Sequence, residues 1–136
     1  MVIGIKSYKI FDKDIFNDWY QIGNYLRQLK GVKAVISVAN VYNLQKDTAK
    51  HRFVIKPLVT GVLPTAQAVD SVKKQLAKLP FYKGLVLSND GKSTLMAITF
   101  DDKVINTPYR VPIINKIKKL GAAFEQKHGI KVHYSG

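Results

Sequence analysis

Five apolar residues, Ile15, Trp19, Ile22, Leu26 and Leu29, follow one another at steps of four, three, four and three through otherwise polar sequence. At about 3.6 residues per turn those steps place all five on one face of a helix, and a helix with a single apolar stripe must lay it against another element. The periodicity stops at Lys30-Gly31, a helix-ending pair. Residues 32 to 41 then turn β-branched, with Val32, Ala34, Ile36 and Val38 on one side. Upstream, residues 2 to 7 alternate Ile3 and Ile5 with Gly4 and Lys6, as a strand with one buried face does. The opening unit is therefore strand, helix, strand. Asp12 is placed to cap the helix, and Phe11 and Phe16 are spaced as a hydrophobic staple across that cap.

The rest of the chain repeats the theme with an interruption. Residues 42 to 50, YNLQKDTAK, read as a polar loop, and residues 52 to 59, with Phe53 and Ile55, as a strand. Thr65 is a capping residue for a second helix whose stripe is Val69, Val72, Leu76 and Leu79 and which stops before Pro80. Residues 84 to 88 and 94 to 100 are apolar runs separated by Asn89-Asp90-Gly91-Lys92-Ser93, the composition of a tight hairpin turn. Thr107-Pro108 opens a third helix with Val111, Ile114, Ile117, Leu120 and Phe124 inward. Pro112 is awkward there, because it removes an amide donor, and favours a later start. Gly129 ends this helix and residues 130 to 134 form a closing strand. The order predicts an α+β fold: a ferredoxin-like sheet built from split β-α-β units, helices on one face, and a β-α insertion at about residues 44 to 80.

A chain of 136 residues that is 46% hydrophobic suits a single folded domain, 1–136, and is too apolar for a disordered one. No run approaches the roughly 18 to 20 apolar residues of a membrane-spanning helix, and the start lacks a signal-peptide core. The sequence enters directly in strand-like residues and stops at Tyr134-Ser135-Gly136, so it is expected to be a piece of a longer protein. Cysteine is absent, which excludes disulfides and thiolate chemistry. The 22 Lys and Arg against 9 Asp and Glu give a net charge of +13, which first suggests nucleic acid or an anionic surface. That charge is spread evenly over both halves of the chain. Its densest groups, Lys73, Lys74 and Lys78 on the second helix and Lys116, Lys118 and Lys119 on the third, read as solvated faces.

No catalytic constellation emerges, and no catalytic residue, metal site or cofactor is assigned. Gly91-Lys92-Ser93-Thr94 resembles the end of a phosphate-binding loop, but the position five before Gly91 is Val86 and a strand follows, so a turn is the better reading. His51, His128 and His133 have no second ligand at metal-binding spacing. His128 beside Gly129 suits a helix C-terminus, and His133 a strand surface. Asp12, Asp14 and Asp18 favour the positive end of the first helix, Asp101-Asp102 reads as a turn, and Glu125 sits in a solvated helical stretch. Among the aromatics, Tyr20, Tyr25 and the pair Phe81-Tyr82 are candidates for stacking on a ligand, while Trp19 lies on the buried stripe.

Three segments together carry a family resemblance: IFNDWYQIGNYLRQLKGVKAVISVANVYNL, LPFYKGLVLSNDGKSTLMAITF and HGIKVHYSG. They resemble the first large extracytoplasmic loop of RND-superfamily exporters of the MMPL-like type. In that family a helix ends in a Leu-x-Gly-Val-x-x-Val junction, matched by Leu29, Gly31, Val32 and Val35. A proline-bounded segment then leads through an Asp-Gly turn into a strand, matched from Pro80 to Phe100, and the loop closes on Ser135-Gly136. The resemblance implies a porter domain, not an enzyme, on the periplasmic side of an inner-membrane, proton-driven transporter. Its implied partners are the transmembrane helices and second porter domain of the same protein and hydrophobic or lipid-like substrates, with a homo-oligomer as a further option. It assigns no substrate-contact residue. The competing readings are a basic ferredoxin-like nucleic-acid-binding module and a small-molecule regulatory domain. The first of these would use Arg52-Phe53-Val54-Ile55, which lacks the glycine and second aromatic of RNA-recognition strands.

Overall fold

A computed structural model of the chain describes residues 1–79, 82, 84–104 and 106–136, and within these the side chains of all but 43–47 and 53–55. The elements are strand β1 (Val2–Lys6), a 3-10 turn (Tyr8–Phe11), helix α1 (Lys13–Arg27), β2 (Val32–Ile36), β3 (Tyr42–Asp47), β4 (Arg52–Pro57), α2 (Ala66–Ala77), β5 (Ser93–Phe100), α3 (Arg110–His128) and β6 (Val132–Ser135). This is an α+β fold whose main sheet has four antiparallel strands in the order β2-β5-β1-β6, with β3 and β4 forming a separate two-stranded ladder.

The first helix forms where its stripe requires. Phe11 and Phe16 stack across its start with ring centroids 6.1 Å apart, while Asp12 supplies extended cap backbone but no side-chain capping bond. Ile15, Trp19, Ile22 and Leu26 are buried, and Gly31 takes a φ of +96° just beyond the helix end. The inward face of the sheet meets that stripe. Ile3 pairs with Met96 and Ile5 with Thr94, and Ile98 and Phe100 continue the same face of β5. Ile117 and Phe124 of α3 complete the cluster, so α1 and α3 cover one side of the sheet together.

The second helix starts as expected: Thr65 Oγ1 accepts the Ala68 amide at 3.1 Å, and Val69, Val72 and Leu76 are buried. Pro80, expected to bound this helix, lies outside the described residues.

Several expectations need correction. The polar stretch at 42 to 50 is largely strand, because Tyr42–Asp47 finds its ladder partner in Arg52–Pro57 and the chain reverses at His51, which has a φ of +53°. The β-branched run from 32 to 41 is not one strand either. It breaks at Ser37, whose hydroxyl accepts the Ala39 and Asn40 amides at 3.1 Å each and donates to Asn40 Oδ1 at 2.6 Å, forming a fully enclosed turn.

Of the hairpin expected around Asn89 to Ser93, one arm is regular strand. The other is reduced to a bridge between Leu87 and Thr94, since turns between Tyr82 and Leu87 curl the chain away from β5. In α3, Pro112 is tolerated because it is the third residue of the helix, where an amide has no intrahelical partner to lose. Val111 faces solvent, and Ile113 takes the inward position. Glu125 is not merely solvated: its Oε1 accepts the Val132 amide at 2.7 Å and ties α3 to β6.

Candidate functional site

The chain's most ligand-like feature is a cavity of about 290 Å³ between α2, the 3-10 turn and the segment that leads into β5. Its walls come from four parts of the chain. Phe11 enters from the turn after β1, Val38 from the enclosed turn after β2, Leu76 and Ala77 from the end of α2, and Val86 and Leu87 from the segment before β5. Val38, Leu76 and Val86 are buried, so the floor is continuous with the hydrophobic core.

The rim is polar. Lys73 holds its ammonium 5.4 Å from the centroid of the Phe11 ring, a cation-π placement. Asp90 also lines the cavity, and its carboxylate accepts the Ser88 hydroxyl at 2.6 Å and the Lys92 amide at 3.0 Å. The Ser88 hydrogen bond is the larger cause, and with the Lys92 amide it holds Asp90 below the ordinary carboxylate range. Gly91 closes this turn with a φ of +71°. The Gly91-Lys92-Ser93-Thr94 segment is thus a turn leading into a strand. Thr94 Oγ1 donates to the Val86 carbonyl at 2.6 Å, which fixes the cavity floor.

A second, more open groove of about 370 Å³ runs between α1 and α3, flanked by Ile22, Tyr25, Leu120 and Phe124. Asp18 stands at its end, and the fold brings it an ammonium and an imidazole that lie far away in sequence. His128 Nε2 lies 2.6 Å and Lys127 Nζ 2.9 Å from the same carboxylate oxygen. Burial alone would raise the Asp18 pKa, but the hydrogen bonds from Lys127 and His128 overcome it and leave the value below its ordinary 3.8. His128 also packs on Phe124 at 4.8 Å, and Phe124 on Trp19 at 5.4 Å, so the pair is wired into the core.

This is a structural latch between α1 and α3. A depressed carboxylate contributes stability above its unfolded pKa and loses it as pH falls through the folded value. Asp18→Asn is therefore expected to destabilise at pH 7, with the difference from the parent chain shrinking below about pH 4 and vanishing under the folded pKa. Urea midpoints of both chains from pH 2 to 7 measure it. A gap that persists at pH 2 would assign the effect to packing.

Of the other residues singled out from sequence, Trp19 is fully enclosed and Tyr20 is buried, whereas Tyr25 lines the α1–α3 groove. Tyr82 does line the candidate cavity, and its hydroxyl donates to the Tyr42 carbonyl at 2.8 Å; Phe81 lies outside the described residues. His133 and His51 are exposed on β6 and at the β3–β4 turn. Asp101 caps a turn by accepting the Lys103 amide at 3.0 Å. Among the described residues no group of three His, Cys, Asp or Glu is placed to hold a metal, and no helix is long and apolar enough to cross a membrane.

Two of the basic residues are held in ion pairs. Lys74 is paired with Asp70 at 3.1 Å and Lys127 with Asp18. The uncovered face of the two central strands carries Val2, Gly4 and Lys6 beside Ala97, Leu95 and Ser93, without the stacking aromatics that RNA-recognition sheets present there. Phe53, the aromatic of the competing motif, has no described side chain. No protein-family model, curated protein or solved structure matches the chain.

Proposed function

We propose that this chain is a porter-type domain of an RND-superfamily exporter of the MMPL-like type, located on the extracytoplasmic side of the cytoplasmic membrane. In this reading it binds hydrophobic or amphiphilic molecules in the cavity beside α2 and passes them on, without catalysis of its own. The apolar cavity carries the reading, because its walls continue the core while its rim is polar, the usual build of a small-molecule site.

Two further features support it. Set aside the segment between β2 and β5, and the remaining elements run β-α-β, β-α-β in the sheet order β2-β5-β1-β6, which supports a ferredoxin-like reading of the sheet. Two of the three segments that resemble the exporter loop contribute to the cavity, the first through Val38 and the second through Tyr82 and the Asp90 turn, and the third supplies β6. The partners in this proposal are the membrane helices and second porter domain of the same protein.

Two experiments test it. The chain is titrated with N-phenyl-1-naphthylamine, whose fluorescence rises in apolar sites, alongside Ala77→Trp, which fills the cavity from an exposed helix position. Saturable binding that Ala77→Trp weakens by about tenfold or more is expected, since a filled pocket excludes the probe. Equal binding by both proteins would remove the cavity from the proposal. Separately, an antibody against the domain should detect a product that stays with the cytoplasmic membrane after alkaline washing. A freely soluble product of 136 residues in its native cell would sink the exporter assignment.

A further inference from the structure

We infer that the cavity beside α2 takes a single-tailed amphiphile with an anionic head group, held at the mouth by Lys73. This rests on the reading of the cavity as a ligand site and adds which chemistry it selects. At about 290 Å³ the space is at the small end of ligand pockets. A space this small suits one short chain and not a two-tailed lipid.

The tail is specified by the walls. Phe11, Val38, Leu76 and Val86 offer no hydrogen-bonding side chain, so only apolar surface is complementary at depth.

The head is specified by the charge balance at the mouth. Lys73 is the only cation among the described lining residues and has no ion pair among the described residues, whereas its neighbour Lys74 is paired with Asp70. The one carboxylate among the described lining residues, Asp90, is already engaged by Ser88 and by the Lys92 amide in its own turn. The uncompensated charge is therefore positive. Lys73 rests over the Phe11 ring, and at an exposed position a cation-π contact is weaker than a charge-assisted hydrogen bond to a carboxylate. An entering anionic head thus draws the ammonium off the ring, while Phe11 keeps its contact with the upper part of the tail. The net charge of +13 adds a long-range attraction for anions.

The test uses decanoate, decyltrimethylammonium and decyl maltoside, each below its micelle-forming concentration. Affinity is read by calorimetry, and the site by amide shifts at Leu76 and Val86. Decanoate is expected to bind about tenfold or more tighter than decyltrimethylammonium, the scale on which paired and opposed charges separate ligands. Lys73→Gln should weaken decanoate by about fivefold or more and leave decyl maltoside within about twofold, because only the charged contact is lost. Lys73→Arg should restore the preference, and Lys118→Gln, an equal charge change away from the cavity, should leave it intact. Circular dichroism confirms that each variant folds.

Equal binding of decanoate and decyltrimethylammonium, or no response of decanoate to Lys73→Gln, would overturn the head-group assignment. Shifts at Leu76 and Val86 would in that case still support the cavity as an apolar ligand site. Absence of shifts there with all three probes would overturn both.

Discussion

Replacing Trp19 by alanine is expected to lower stability by about 3 to 5 kcal/mol, the usual loss for deleting a large buried aromatic. Trp19 is fully enclosed, packs its ring on Phe124, and sits between the sheet and the α1–α3 seam, so neither neighbour can collapse into the vacancy without moving a helix. A domain of this size has about 5 to 15 kcal/mol in total, so the change should bring the urea midpoint down sharply. Trp19→Phe should cost much less. Trp19 Nε1 is the one described buried side-chain polar atom without a hydrogen-bond partner, so removing it relieves an unpaired donor while most of the ring remains. An unchanged midpoint for the alanine variant would show that Trp19 faces a binding surface and not the core.

Gly23→Ala is expected to destabilise by about 2 to 4 kcal/mol, although glycine to alanine within a helix ordinarily gains about 1 kcal/mol. A Cβ at position 23 would come within 2.6 Å of Asn40 Cγ and closer still to its amide oxygen. Asn40 cannot step aside freely, because it is buried and its oxygen accepts the Ser37 hydroxyl. Displacing it costs about 1 to 3 kcal/mol in overpacking, and about the same again if the Ser37 hydroxyl is left unpaired. Gly121 provides the control. A Cβ there would meet the Tyr134 hydroxyl, but that is the far end of a partly exposed side chain able to swing outward, so Gly121→Ala should be close to neutral. Thermal or urea unfolding of the two alanine variants measures the contrast. A stabilised Gly23→Ala would mean that the enclosed turn after β2 is free to rearrange.

These two cases also show what was readable from sequence. Trp19 was legible as core because its stripe is local and periodic: the residues that define it lie within one helix. The contact that makes Gly23 necessary was not, because it depends on where an irregular turn 17 residues later comes to rest.

The same distinction separates the elements. Thr65, Val72 and Gly129 announced their helices through caps and spacing, whereas Tyr42–Asp47 alternates only over Tyr42 and Leu44 and became strand because Arg52–Pro57 lies beside it. The run before β5 looked like strand by its apolar composition, yet only Leu87 pairs, so apolar content without a long-range partner was misleading. Neither the cavity nor the Asp18–His128 latch could be read along the chain. The first is assembled from four segments and the second joins residues 110 positions apart. Phe11 and Leu76 carried sequence signals, but as a staple and a core position, and both fill those roles while also forming a wall.

The order of the sheet has a consequence for how the chain emerges from the ribosome. β1 lies between β5 and β6, so the first strand made is an interior strand whose neighbours are made last. About 90 residues separate Lys6 from its partner Ser93, which at about 5 to 20 residues per second leaves Ile3 and Ile5 unpaired for several seconds. During that interval α1 can form by itself, but the surface it needs to bury against exists only as β1 and β2, which β5 has yet to join. A nascent chain that stalls before β6 presents β1 with one side unpaired, and an open strand edge beside apolar side chains is a template for pairing between molecules. Premature termination near residue 130 is thus more hazardous to this protein than loss of the β3–β4 ladder, because only the former unzips an interior strand.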